Sequence, residues 1–246
     1  MADIPRIIHY CWFGRGEKPD IVKTCIQSWR NSLKDYEIKE WNEDSFDINS
    51  NDFVRQAYKN KKYAFVSDYV RVYALYNYGG IYLDTDVEIL QSFDKYLNNE
   101  SFWGFEVGNF IATSTIGSAK GNKLIKKFLD SYNEKSFINE DGSFNVTTNV
   151  KIVSKIFEES GVELNGEYQL IKDIGAVYPV EYFSPYDYRY YEDLRSTNTV
   201  CIHHYYKSWL PMSKRIKQFF KRNIIRIFGS GFIRKGENII WRRKYS

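Results

Sequence analysis

The chain has 246 residues, 43% apolar and 18% aromatic, which is enough to bury one large core, and its formal charge is only +4. No apolar run reaches the roughly 18 residues that a membrane-spanning helix requires, which excludes an integral helical membrane protein. The positive excess sits entirely in residues 211–246, so the rest of the chain offers no basic face for nucleic acid.

The first strand is expected at Ile7–Phe13, close behind the N-terminus and with no signal peptide ahead of it. Gly14-Arg15-Gly16 follows but lacks the third glycine of a dinucleotide fingerprint. A helix is predicted at Asp20–Arg30, with Ile21, Cys25 and Trp29 on one face, and a second strand at Tyr36–Trp41. This βαβ opening predicts an α/β fold with one Rossmann-like, mostly parallel sheet flanked by helices, and ligands at the carboxyl ends of its strands. After a polar stretch with short helices, Ala64–Tyr78 has apolar residues at helical spacing and is stopped by Gly79-Gly80. The period then changes. Ile81, Leu83, Val87, Ile89 and Leu90 read as one buried strand interrupted by Asp84-Thr85-Asp86. Phe102–Phe105 and Phe110–Ile116 read as strands flanking an acceptor side, and Asn122–Tyr132 as a helix. Thr147-Thr148-Asn149 opens another helix, its side chains serving as caps or as acceptor and donor contacts, with capping favoured. A β-prone run, Thr199–Ile202, leads into His203, His204, Tyr205, Tyr206, Lys207, Ser208 and Trp209. Cys11, Cys25 and Cys201 lie in apolar runs without CxxC spacing, as expected of reduced structural thiols.

Residues i and i+2 of a strand point to one side, so Asp84 and Asp86 are expected to share a face with α-carbons roughly 6.6–6.8 Å apart. Two carboxylates on one face call for a cation, and a hard divalent ion, Mg²⁺ or Mn²⁺, suits one or two carboxylates plus substrate phosphates and water. A calcium loop starting at Asp84 would need Gly where Ile89 stands and Glu where Lys95 stands, which excludes that alternative. Asp68 and Arg71 are spaced i, i+3 on an otherwise apolar helix that runs into the acidic segment. Two of the three histidines are adjacent at 203 and 204; on a strand they point oppositely, so only one faces a metal. His9, within the first strand, reads as structural.

The run YAFVSDYVRVYALYNYGGIYLDTDVE, with the opening IPRIIHYCWFG and the later IHHYYKSW, resembles the glycosyltransferases with a DXD sugar-binding region. This is the group of capsular-polysaccharide and mannosyl transferases called glycosyltransferase family 32, and more distantly the glucosylating domain of large clostridial toxins. The resemblance covers roughly residues 4–210. It implies a GT-A fold in a domain over 1–210, a nucleotide-sugar donor, UDP-linked by preference, a divalent Mn²⁺ or Mg²⁺ ion, and transfer with retention of anomeric configuration. Carried over residue by residue, Asp84 is the first DXD carboxylate, on the donor's ribose and sugar, and Asp86 the second, on the metal. Asp68 and Arg71 hold the sugar hydroxyls, so that Asp68, Arg71, Asp84 and Asp86 form the catalytic set. Tyr82, Cys11 and Ser67 adjoin them on the donor side, and Trp12 stacks on the base. His204 is expected as the further metal ligand beside Asp84 and Asp86, with Lys207, Ser208 and Trp209 against the diphosphate. The implied acceptor is a growing surface or capsular glycan, on a lipid-linked oligosaccharide carrier.

Two rivals share parts of this pattern. A sugar-nucleotide nucleotidyltransferase normally brings a Gly-rich, basic triphosphate loop, and none is evident. A non-catalytic carbohydrate-binding module shares the aromatic wealth without needing Asp-x-Asp beside a basic partner. Residues 211–246 carry eleven Lys and Arg against one Glu. Ile216, Phe219, Phe220, Ile224, Ile227 and Phe228 line one helical face of this segment, and Lys214, Arg215, Lys217, Lys221 and Arg222 the other. The pattern predicts a basic amphipathic helical tail on an anionic membrane surface, or docked on the domain itself. The expected location is cytoplasmic, peripheral on the inner face of the membrane.

Overall fold

The computed structural model describes residues 3–133 and 135–206. Lys207, Ser208, Trp209 and the predicted tail 211–246 lie outside the described residues. In chain order the strands are β1 (Ile7–Cys11), β2 (Glu37–Trp41), β3 (Gly80–Leu83), β4 (Val87–Ile89), β5 (Ser101–Glu106), β6 (Phe110–Ile111), β7 (Thr115–Ser118), β8 (Gln169–Ile171), β9 (Gly175–Tyr178), β10 (Tyr186–Asp187), β11 (Glu192–Asp193) and β12 (Cys201–His203). The helices are α1 (Asp20–Ser32), α2 (Asp52–Lys59), α3 (Tyr63–Tyr78), α4 (Lys123–Asp130), α5 (Asn149–Glu159) and α6 (Val180–Phe183).

The central sheet has the order β2-β1-β3-β7-β5-β9-β8, with β6 paired to β5. The β1–β2, β1–β3 and β5–β9 pairs are parallel, while β7 runs against both of its neighbours and β8 against β9. Most strands therefore run one way, as the βαβ opening predicts, within a mixed sheet. Alternation along the strands feeds two cores. Tyr82, Trp103 and Phe105 face a cluster with Val66, Val70, Leu75, Phe128 and Phe157 from helices α3, α4 and α5. Ile81, Leu83 and Phe102 face the other cluster, with Trp29, Phe93, Phe183 and Cys201. Helix α3 is apolar nearly all round because it is buried among other elements rather than laid on a surface. All three cysteines are buried and free. No helix among the described residues is long and apolar enough to cross a membrane.

One element differs from the sequence reading in a way that matters. The strand expected to continue from Ile81 to Leu90 is broken: β3 ends at Leu83, and Asp84-Thr85-Asp86 form a turn closed by the Val87 N–H on the Asp84 carbonyl (3.0 Å). The two aspartates therefore converge through a turn, and the strand spacing does not apply to them. After the turn, β4 leaves the main sheet and pairs antiparallel with β12. Helix α1 holds it there, since Trp29 Nε1 donates to the Val87 carbonyl (2.7 Å) and the Ile89 N–H donates to Ser28 Oγ (2.9 Å). Upstream, Gly80 admits the close approach of β3 to β1: its φ is 102°, and a Cβ there would meet the Ile7 carbonyl at 2.5 Å.

Candidate active site

Arg71 is the centre of the site. It sits mid-helix in α3, only 6% exposed, and its guanidinium fork reaches Asp68 (2.8 Å) and Asp84 (3.3 Å). Nη1 donates to the Thr113 carbonyl (2.7 Å), and the guanidinium carbon lies 4.6 Å from the Tyr82 ring centroid. The expected i, i+3 pair is therefore buried and shared with a second carboxylate. Burial acts to lower the Arg71 pKa, but the charges of Asp84, Tyr82 and Asp68 overcome it and the pKa is raised. Burial pushes the Asp68 carboxyl up to about 6, with Arg71 acting against it and Asp84 with it. Taking such ions out of water costs several kcal/mol each, so stability alone gives no reason to keep three of them together.

Asp84 leaves the end of β3 with its N–H on the Ser114 carbonyl (2.8 Å), while its Oδ1 accepts from the Tyr82 hydroxyl (2.9 Å). Asp86 is bonded by residues that follow β12. Its Oδ2 accepts the Tyr206 N–H (2.6 Å), its carbonyl accepts the His204 N–H (3.0 Å), and its Oδ1 lies 3.5 Å from His203 Nε2. Ligand atoms of Asp84, Asp86 and His203 all lie within 4.8 Å of one another. Burial opposes ionisation of both partners, yet His203 holds the Asp86 pKa below its ordinary value and Asp86 raises that of His203.

The expected histidine is corrected by register. In the β4–β12 pair His203 lies opposite Val87 and Cys201 opposite Ile89, so His203 shares the buried face and meets the aspartates. His204 falls on the opposite side, its Nε2 2.9 Å from Glu88. The buried Cys201, two residues before His203, was the available signal. His203 Nδ1 is buried without a partner among the described residues, and its ring lies tilted at 33° against that of Tyr205, with centroids 3.9 Å apart. Two carboxylates and one imidazole at a partly exposed turn fit a hard or borderline divalent ion that keeps open positions for substrate oxygens.

The remaining predicted donor residues lie on or beside β1, α3 and β3. Trp12 follows β1 directly and is half-buried; its Nε1 donates to the Gly16 carbonyl (2.7 Å) and Lys18 Nζ lies 5.7 Å from its ring centroid. Cys11 is buried near Arg71, Asp84, Ser67 and Tyr82, and burial pushes its thiol well above the usual range. Ser67 donates to the Tyr63 carbonyl of its own helix (3.1 Å), and Tyr82 is 2% exposed. Asn149 and Thr148 overturn the favoured capping role. Thr148 makes no side-chain cap; Asn149 Nδ2 donates to the Asp68 carbonyl (2.9 Å), while its Oδ1 accepts from the Tyr132 hydroxyl. Thr113, Ser114 and Tyr205 are site neighbours that the sequence reading missed, since no spacing ties them to the acidic turn. His9 is buried in β1 as expected.

Residues 19–103, which contain Arg71 and the acidic turn, match the family model described as "Glycosyltransferase sugar-binding region containing DXD motif". The likeness to that family lies in this segment. Inositol phosphoceramide mannosyltransferase 3 of Schizosaccharomyces pombe is 30% identical over 128 residues, which are 50% of this chain and 36% of that relative. The chain thus spans about a third of the relative's length. Among solved structures, PaToxG glycosyltransferase aligns with a TM-score of 0.46 at 18% identity, over 65% of this chain and 70% of its own. A glycosyltransferase involved in glycosylation of the major capsid of PBCV-1 aligns at 0.45 and 12%, over 89% and 99%. The galactosyltransferase LgtC aligns at 0.39 and 13%, over 89% and 94%.

Proposed function

We propose that this glycosyltransferase-family chain moves a hexose or N-acetylhexosamine from a nucleotide sugar, UDP-linked by preference, to a surface or capsular glycan, with retention and with a divalent ion. The observation that carries the reading is the convergence of Asp84, Asp86 and His203 within 4.8 Å, beside the buried Arg71–Asp68 pair. Those three residues would hold Mn²⁺ or Mg²⁺, and the imidazole in the set favours Mn²⁺. Bound there, the ion would supply positive charge to a leaving nucleoside diphosphate.

The chain's own groups do the rest. Arg71 is fixed by Asp68, Asp84 and Thr113, so it presents donors to sugar hydroxyls without reorganising. Asp68 accepts from the sugar, and Trp12 takes the base face, a stack worth about 1–3 kcal/mol. Each site carboxylate is already committed: Asp68 to Arg71, Asp84 to Arg71 and Tyr82, and Asp86 to His203 and the Tyr206 N–H. That commitment disfavours a covalent nucleophile and supports front-side return, in which the acceptor hydroxyl attacks from the face the phosphate leaves and its proton passes to a phosphate oxygen. The mannosyltransferase relative places mannose among the donor sugars to test. The charge of residues 211–246 supports attachment to an anionic membrane surface and a lipid-linked acceptor.

The test is a donor-hydrolysis screen of the purified protein with UDP-glucose, UDP-galactose, their N-acetyl forms and GDP-mannose in Mn²⁺. At least one donor is cleaved, and Asp86→Ala abolishes the cleavage. Normal metal-dependent turnover by Asp86→Ala would sink the reading. Vesicle pelleting with and without residues 211–246 tests the membrane part; equal pelleting removes it.

A further inference from the structure

Glu106 ends β5 outside the ligand group of Asp84, Asp86 and His203. Ser101 of β5 and Gly80 of β3 both pair with Ser118 of the intervening β7, so the two strands are level at those residues. Beyond Phe102 the strand leaves β7, and Glu106 pairs with Phe110 of β6. Alternation places Glu106 on the same face as Phe102, and Phe102 packs in one cluster with Val87 and Cys201 of the β4–β12 layer. Glu106 therefore points toward the layer that carries His203.

What it meets there is aromatic. Tyr188, in the β10–β11 turn, lies 4.7 Å from Tyr205 between ring centroids, and Tyr205 lies 3.9 Å from His203. The turn after Glu106 abuts the same hairpin, since a Cβ at Gly108 would meet Arg189 Nη1 at 3.7 Å. Arg189 is held in turn by Asp187 (3.0 Å). Burial first, and the Glu106 carboxylate next, push the Tyr188 and Tyr205 phenols above their ordinary range, which places the charge close to both. Glu106 is half-buried and outside the Asp84–Asp86–His203 ligand group. A carboxylate flanking a row of rings is a carbohydrate-binding chemistry: the rings take the C–H face of a pyranose and the carboxylate takes a hydroxyl.

We propose that Glu106 binds the acceptor sugar, its carboxylate accepting a hydrogen bond from an acceptor hydroxyl while Tyr188 packs against the pyranose face. This rests on the glycosyl-transfer reading and extends it to a specificity-determining group on the acceptor side. Glu106 takes no proton in this role; it orients the hydroxyl.

The experiment measures transfer from the donor found in the hydrolysis screen, with Mn²⁺, to p-nitrophenyl glycosides of glucose, galactose and mannose. Glu106→Gln raises the acceptor KM by about 10- to 100-fold, the range for losing one charge-assisted hydrogen bond. The donor KM and the affinity for UDP with Mn²⁺ stay within about twofold. Tyr188→Leu, which leaves every carboxylate in place, raises the acceptor KM as well and covers the case of a Glu106 variant that folds poorly. An unchanged acceptor KM in both variants, or UDP affinity falling in step with it, overturns the assignment. Failure of the underlying reading is visible separately, as wild-type protein that neither binds UDP with Mn²⁺ nor cleaves any nucleotide sugar.

Discussion

His9 gives the fold a measurable weakness toward acid. Its Nδ1 accepts the Trp41 Nε1–H (3.1 Å), so the neutral ring carries its proton on Nε2 and donates to the Gly79 carbonyl (2.8 Å). Protonation at Nδ1 would set two N–H donors against each other in a site with no solvent access. Burial accordingly lowers the His9 pKa from 6.5 to about 4, the Gly79 bond opposing the shift and the charge of Lys39 adding to it. The sign follows from proton counting. Between pH 6.5 and 4 the unfolded chain binds a proton that the folded chain refuses, so stability falls as pH falls through that window. Between pH 8 and pH 5 the loss from this residue is about 2 kcal/mol, rising to about 3 kcal/mol below pH 4. Urea titrations followed by tryptophan fluorescence at several pH values measure it, with His9→Gln as the reference because glutamine offers both a donor and an acceptor and does not titrate. The carboxylates shared by both proteins cancel in the comparison. Parallel stability curves for the two proteins between pH 8 and pH 5 would refute the reasoning.

Three further outcomes follow from the site. Asp86→Ala and His203→Ala each weaken Mn²⁺ binding, read by isothermal titration with UDP present, by at least about tenfold, whereas His204→Ala changes it less than about threefold because its ring faces Glu88. Arg71→Lys lowers donor-hydrolysis kcat/KM by about 100-fold, since a lysine cannot divide one planar fork among Asp68, Asp84 and Thr113; retention of more than a third of wild-type activity would count against the shared fork. The ionised Asp68 is the form that accepts from a sugar hydroxyl, so kcat/KM rises with pH through an apparent pKa near 6, and Asp68→Asn removes that limb.

How much of this was legible in the sequence depends on the distance a signal must span. Helix α3 declared itself through Phe65, Tyr69, Val72 and Tyr76, and Gly79-Gly80 marked its end, because periodicity and backbone freedom are local properties. The Arg71–Asp68 pair was local too. The acidic turn was misread as strand because apolar residues on both sides of it satisfy the same alternation; only the departure of β4 to pair with β12 distinguishes the two. The choice between His203 and His204 depended on that same long-range register. Asn149 reaches Asp68 across the gap between α5 and α3, a contact for which no spacing rule exists, and its position at a helix start suggested a cap instead. Glu106 is the extreme case, since its placement depends on β5 packing against the β4–β12 layer and on the turn after it abutting the β10–β11 hairpin.

The Asp86 carboxylate is bonded by an amide 120 residues further along the chain, and its neighbouring imidazole comes from the end of β12 just before it. A polypeptide that stops short of residue 203 contains Arg71 and both aspartates but not the imidazole that meets them. The cluster cannot be cut out as a local loop, because any fragment that keeps the acidic turn without β12 keeps two acids and no imidazole.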